Sequence, residues 1–302
     1  MSAINRISMR QFGKMGRFAN QIFQRMFVLT YAKMHALHPE LPQWVGCDFF
    51  GNDDPPIEGP MLYQRIEGKD ADGQPPIPAE NEFVNRDFIG WGQVHTSWYR
   101  PHADWLIEQF QPSPKTKERL DPIAEKFNGR FVIGLHFRRG DYGAGGTFWI
   151  TPLEWYYNAM KGLKNKFGDP LFFISTEDRS VISALAEFKP VTAETLGVTR
   201  NTMPLEHYQY LPHDLRQKDP AQLDFFPDWY LLSKCNFIVG PNSTFSYAAA
   251  MIGRPEYYYR ATLSRANFVR VDPWNDVPLN REKAEDYPHI EGTLTASNPY
   301  WR

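Results

Sequence analysis

From Arg130 onward, short apolar runs alternate with longer helical stretches, and this rhythm constrains the fold more than any other feature of the chain. "RFVIGLH", "PLFFIST" and "NFIVG" are runs of strand length. "TPLEWYYNAMKGLKNKF", "RSVISALAEF", "DWYLLSKC" and "STFSYAAAMIG" read as helices. The first of these helices opens with Thr151 and Glu154 at capping-box spacing and Pro152 at its first position; the last stops at Gly253. Strands alternating with helices imply a parallel, doubly wound sheet. Such sheets bind ligands beyond the carboxyl ends of their strands.

The first half is less regular. "RISMRQF" can form a strand, "GKMG" breaks it, and "RFANQIFQRMFVLTYAKMHAL" follows with Phe18, Ile22, Met26 and Leu29 at helical spacing, which predicts one buried face. Leu41 to Pro78 is rich in Pro, Gly and Asp and reads as long loops. "FVNRDFIGWGQVHTSWYRP" is aromatic and irregular, and "HADWLIEQF" is a short helix. A chain of 302 residues exceeds what one core usually fills, so about two domains are expected. "QPSPKTKERLDP" is the linker candidate, dividing the chain into residues 1–120 and 121–302.

Four polar clusters fall at predicted strand ends. "GKMGRFANQ" follows the first strand, "HFRRGDY" follows "RFVIGL", "TED" follows "PLFFIS", and "GPNSTFS" follows "NFIV". Gly13 and Gly16 permit close backbone approach, and the amides opening the next helix can receive an anion. Arg138 or Arg139 can fork two donors onto phosphate oxygens. Ser243, Thr244 and Ser246 offer hydroxyls and amides at a helix N-terminus, and Asp178 can accept two donors from a base edge or a ribose. Together they describe a nucleotide-diphosphate site. Blander readings stand beside it: Ser243 and Asp178 as helix caps, Arg138 and Arg139 as an ion-pair cluster with Asp141, and His136 as a core histidine. Arg139-Gly140-Asp141 also spells an adhesion motif, although it continues an apolar strand instead of crowning a hairpin.

Composition excludes several classes. A net charge of −2 gives no general attraction to nucleic acid or to an anionic membrane. No apolar run approaches the ~18 residues that span a bilayer, and the first residues lack the apolar core of a signal peptide. With two cysteines, Cys47 and Cys235, a disulfide scaffold is not expected, and a cytoplasmic location, extending to the membrane periphery, is. Asp70-Ala71-Asp72 has the D-x-D form of metal-dependent glycosyltransferases but reads as a polar turn; no metal site is expected.

The order of "GKMGRFANQIFQ", "GWGQVHTSWYRPHADWLIEQFQP", "VIGLHFRRGDY", "FFISTED" and "DWYLLSKCNFIVGPNSTFSYAAAMIG" resembles the α-1,2-fucosyltransferase family, itself similar to the α-1,6- and protein O-fucosyltransferases. The resemblance runs from about residue 13 to 253, with Ala19 where the family carries a second glycine. It implies an α/β GT-B fold with two Rossmann-like domains facing a cleft, the N-terminal one on the acceptor side and the C-terminal one binding the nucleotide sugar. It implies inverting, metal-independent transfer of L-fucose from GDP-fucose, without a cofactor, to an oligosaccharide or other glycan hydroxyl, in glycan biosynthesis. Arg138 then corresponds to the residue gripping the β-phosphate, with His136 and Asp141 supporting the loop and Asp178 reading guanine. Asn242, Ser243, Thr244, Phe245 and Ser246 correspond to further phosphate contacts. Gly16, Arg17, Asn20 and Gln21 correspond to the opposite wall. For the acceptor's proton, His95, Asp141 and Asp48 are the candidate bases. The alternatives are a glycosyltransferase using another nucleotide sugar and a non-catalytic nucleotide or glycan binder.

Overall fold

Two sheets organise the chain, and each belongs to its own unit. The computed structural model describes residues 4–66, 76–78, 81–143, 148–199, 206–211 and 224–290. One unit comprises the described residues of Met1–Lys117, Asn201–Leu223 and Trp274–Pro278; the other comprises those of Glu118–Arg200, Asp224–Pro273 and Leu279–Arg302. Asp70 and Asp72 lie outside the described residues.

The first unit carries β1 (Arg6–Ser8), α1 (Phe18–Met34), β2 (His38–Glu40), α2 (Gly46–Phe50), β3 (Leu62–Arg65) and β4 (Arg86–Ile89). Its sheet runs β2-β1-β4-β3, parallel throughout. Helix α1 departs from the one-sided pattern of its apolar residues, because Gln21, Gln24, Arg25 and Thr30 are buried along with them. Each of these polar groups needs a partner in the interior. Arg25 finds one in Asp54, with Nε and Nη2 reaching the two carboxylate oxygens at 2.9 and 2.8 Å.

The stretch expected to be loops contains α2 and β3. β3 escaped detection because it lies at the sheet edge with Leu62 and Tyr63 exposed, so no face alternates. β4, within the stretch read as irregular, is held by Asp87, which accepts the Ser8 hydroxyl at 2.6 Å and the Arg10 amide at 2.8 Å. The segment around Asp276 joins this unit through Thr96, whose amide and hydroxyl donate to the Asp276 carbonyl at 2.8 and 2.7 Å.

The linker candidate is mostly helix. α3 (Ala103–Gln109) is followed by α4 (Pro114–Ala124), inside which the division between units falls. Pro114 sits at the first helical position, where no amide donor is required, and the Ser113 hydroxyl accepts the Thr116 amide at 3.3 Å. Pro122 is tolerated inside the last turn. Prolines read as breakers are here a helix start.

The second unit follows the predicted alternation closely. It contains β5 (Val132–Phe137), α5 (Leu153–Phe167), β6 (Leu171–Thr176), α6 (Arg179–Ala184), α7 (Phe226–Ser233), β7 (Phe237–Gly240) and α8 (Thr244–Gly253). Two further strands, β8 (Tyr257–Thr262) and β9 (Asn267–Arg270), complete a sheet of order β6-β5-β7-β8-β9, with only the β8–β9 pair antiparallel. Every residue of β5 is buried, as expected of a central parallel strand covered on both faces. Ile133, Leu135 and Phe137 pack with Tyr156 and Met160 of α5, while Gly134 faces Leu232 and Cys235. Each such buried apolar side chain contributes roughly 1.5–3 kcal/mol.

The capping box at Thr151 does not form. Pro152 is itself the residue that caps α5, with no side-chain cap bond, and the Thr151 carbonyl instead receives Arg139. At the far end of α8 a Cβ on Gly253 would lie 2.0 Å from the Ser233 carbonyl oxygen. Gly253→Ala should therefore destabilise the protein by about 1–3 kcal/mol or more, because backbone must move. Gly162, inside α5 with open space around it, is the control. Gly162→Ala should stabilise by about 0.5–1 kcal/mol through helix propensity. Urea denaturation of both variants reads the opposite signs.

Candidate functional site

The carboxyl ends of β5, β6 and β7 lie side by side. His136 and Phe137 pair with Ser175 and Thr176, and Leu135 pairs with Val239. The sheet therefore delivers three polar loops, residues 136–142, 176–178 and 240–246, to one edge.

Arg138 leaves β5 and meets two carboxylates. Nη1 donates to Glu177 Oε1 at 3.1 Å, and Nη2 donates to Asp141. Its guanidinium lies 5.6 Å from the centroid of Tyr142. Arg138 keeps about a fifth of its side-chain surface and Asp141 about half, so both can reach a ligand. Arg139 goes the other way. It is 3% exposed and donates Nη1 to the Thr151 carbonyl at 2.8 Å, and its amide donates to Glu177 Oε1 at 2.7 Å. Burial pulls its pKa below the usual arginine value, opposed by Tyr156, Asp178 and Glu177, and an arginine stays charged through such a shift. The pair divides its labour: Arg138 toward the ligand edge, Arg139 into the protein.

The loop after β7 is braced in the same way. The Tyr142 hydroxyl donates to the Asn242 carbonyl at 3.0 Å, joining the first loop to the third. Asn242 uses its side-chain amide on the backbone of Asn280, donating Nδ2 at 2.7 Å and accepting at 2.8 Å. Ser243 caps α8 by accepting the Phe245 amide at 3.3 Å. Ser246 is fully buried, and its Oγ would stand 2.4 Å from a Cβ on Gly240. Phe245 packs its ring 4.9 Å from that of His136. The loop leads into the first turn of α8, where Ser243, Thr244 and Ser246 are buried.

Asp178 is the N-cap of α6. Its Oδ1 accepts the Ser180 amide at 2.9 Å and hydroxyl at 2.6 Å, while Oδ2 is buried without a hydrogen bond. His136 is buried, and burial together with the Arg138 charge pushes its pKa down to about 3, so the ring is neutral.

In the first unit, Gly13 and Gly16 both have positive φ, +76° and +67°. Gln21 folds back on them, donating Nε2 to the Gly13 and Gly16 carbonyls at 3.1 and 3.2 Å. Arg17 precedes α1 as its N-cap residue without a side-chain cap, and Asn20 accepts Gln93 Nε2 at 2.8 Å. His95 caps a 3₁₀ turn, with Nδ1 accepting the Ser97 amide at 3.4 Å. Asp48 is anchored by the amides of Glu206 and His207, both at 3.1 Å, and by His207 Nδ1 at 2.9 Å. It is thus a buried tie to that segment, not a carboxylate open to a substrate.

Two site residues were missed by the sequence reading. Glu177, taken only as a neighbour of Asp178, is the acceptor common to Arg138 and Arg139. Arg260 is a buried cation in β8, paired in register with Gly240; its signal is a lone arginine within the apolar run "YYYRAT". Among the described residues, no group of three or more His, Cys, Asp or Glu could hold a metal ion, and no helix is long and apolar enough to cross a membrane.

No protein-family model and no curated protein matches the chain. Solved structures do. An α-1,6-fucosyltransferase, NodZ, soaked with GDP-fucose superposes with a TM-score of 0.57 at 14% identity, covering 89% of this chain and 99% of NodZ. Fucosyltransferase NodZ from Bradyrhizobium gives 0.55 at 14% identity, over 90% of this chain and 100% of that one. A mutant of Arabidopsis thaliana FUT1 in complex with GDP gives 0.52 at 10% identity, over 90% of this chain and 75% of that one. At these identities the likeness establishes the fold: an α/β chain with two parallel-rich sheets and the GT-B fold that NodZ and FUT1 have.

The buried neutral His136 carries a pH signature. Its folded-state pKa of about 3 lies below its ordinary 6.5, so it gains its proton only on unfolding. Its stabilising contribution is therefore complete above pH 6.5 and is lost as pH falls toward 3, at about 1.4 kcal/mol per unit. Urea denaturation should show about 2 kcal/mol less loss between pH 6.5 and 5 in His136→Gln than in the parent. Equal losses would mean that His136 charges inside the fold.

Proposed function

We propose that the protein is a fucosyltransferase that moves L-fucose from GDP-fucose to a hydroxyl of a glycan acceptor. One observation carries this reading: Arg138, partly exposed and fixed by two carboxylates, stands at the carboxyl end of β5, and the α8 N-terminus opens at the end of the neighbouring strand β7. Guanidinium and helix amides together suit a diphosphate. The solved fucosyltransferases of the same fold, described with GDP-fucose or GDP, support the choice of donor.

In this reading the second unit binds the nucleotide sugar and the first serves the acceptor. As the bond between fucose C1 and the β-phosphate oxygen breaks, negative charge grows on GDP. Arg138, using donors that Glu177 and Asp141 leave available, and the α8 amides stabilise that charge without a cofactor or metal. The acceptor oxygen bonds to C1 from the opposite face, inverting the configuration, and its proton leaves to a base. Asp141, half exposed but paired with Arg138, is one candidate base. His95, whose Nδ1 contacts Ser97, is the other candidate base. Asp178, whose Oδ2 is unengaged, reads the guanine edge. Thr244, Phe245 and Ser246 contribute backbone to the phosphate seat. The motif order favours an α-1,2 product, and NMR of the product separates that from an α-1,6 one.

Arg138→Ala should fold normally and lose about a hundredfold or more in turnover, equivalent to ~3 kcal/mol of transition-state stabilisation. Arg138→Lys should recover only part, since an ammonium cannot fork. Arg139→Ala should instead lower thermal stability, because its partner is backbone. A well-folded Arg138→Ala protein with normal fucosyl transfer would refute the reading. Turnover should also persist in EDTA; restoration by manganese after a loss would assign the leaving-group charge to a metal.

A further inference from the structure

Trp91 leaves β4 between two glycines that pin it. A Cβ on Gly90 would fall 2.7 Å from the Phe88 ring. Gly92, at φ +63°, would place its Cβ 2.5 Å from the Phe23 carbonyl oxygen, and its own carbonyl accepts the Tyr99 hydroxyl. The backbone on both sides is therefore fixed against α1 and the core. Yet the tryptophan is 44% exposed, whereas Trp44, Trp149 and Trp229 are fully buried. The fixed backbone thus holds an indole with nearly half its surface open.

The indole also has a polar edge. The point where a Cβ on Gly16 would sit is 2.5 Å from Trp91 Cζ3 and 2.8 Å from Asn20 Nδ2, so ring and amide flank the same glycine. Gln93 donates Nε2 to Asn20 Oδ1 at 2.8 Å, which orients that amide. The absence of a side chain at Gly16 is what lets the ring and the amide meet.

An aromatic ring with an oriented amide beside it matches the chemistry of a sugar ring, which offers an apolar C–H face and a rim of hydroxyls. A nucleobase also stacks on indole, and the GDP measurement below separates the two. We propose that Trp91, with Asn20 at its edge, is a carbohydrate-stacking platform that seats the acceptor sugar. The assignment to an acceptor rests on the transferase reading; the affinity for a sugar does not.

The test is an array of fluorescent, fucose-free oligosaccharides ending in galactose, glucose or N-acetylglucosamine, probed with the full chain and with Trp91→Ala and Trp91→Phe. GDP affinity is measured by calorimetry on the same samples. The parent should capture one terminal sugar class, Trp91→Ala should bind it about tenfold more weakly or worse, and Trp91→Phe should keep most of the affinity. GDP affinity should be equal in all three. If the parent captures no glycan, or Trp91→Ala captures the same glycans equally well, the platform is overturned. If Trp91→Ala loses GDP affinity instead, the indole serves the base and the proposal also falls. Trp91-dependent glycan capture by a protein that binds no GDP would uphold the platform and remove the transferase reading.

Discussion

A single carboxylate oxygen, Glu177 Oε1, receives the Arg138 guanidinium at 3.1 Å and the Arg139 amide at 2.7 Å. It ties the loop after β6 to the loop after β5, and much of the site follows from that tie. Gly140 must be glycine-like there, at φ +29° with a Cβ position only 3.0 Å from the same oxygen. Energetically the ion pair is modest, since Glu177 is about one-third exposed and partly exposed pairs contribute roughly 0–1 kcal/mol. Its importance is geometric. With the turn fixed, Arg139 points inward to the start of α5 and Arg138 stays at the ligand edge.

The same economy explains why most of the polar residues here are engaged with protein. Asn242, Ser243, Tyr142, Asp178 and Gln21 each satisfy backbone groups of a loop or a helix end. The Arg138 guanidinium and the Asp141 carboxylate keep more of their surface open, about a fifth and about half. Buried His136 stays neutral, which places no second positive charge behind Arg138.

The second unit was legible because its strands are buried on both faces. "VIGLHF", "LFFIST" and "FIVG" are apolar throughout and begin or end at turn residues, so their limits come through within a residue or two. The first unit was less legible. β3 exposes Leu62 and Tyr63 at an edge, and β4 is a strand through the pairing of Asp87 with Ser8 and Arg10, which no local pattern encodes. α4 was hidden by Pro114 and Pro122, residues read as breakers although one starts the helix. For the site, the residue pattern placed polar clusters at strand ends and the family resemblance singled out Arg138 and Asp178, but neither could show that Arg139 turns inward or that Glu177 receives both arginines. Those distinctions depend on which way each side chain leaves the sheet, and only the paired neighbours in β6 and α5 decide that.

The central claim is that the edge formed by β5, β6 and β7 is a diphosphate seat centred on Arg138. A crystal structure of the full chain with GDP tests it most directly. The account predicts the β-phosphate within hydrogen-bonding distance of the Arg138 guanidinium and the first-turn amides of α8, with Arg139 still on the Thr151 carbonyl. A diphosphate bound away from Arg138, or held there by a metal ion, would contradict it.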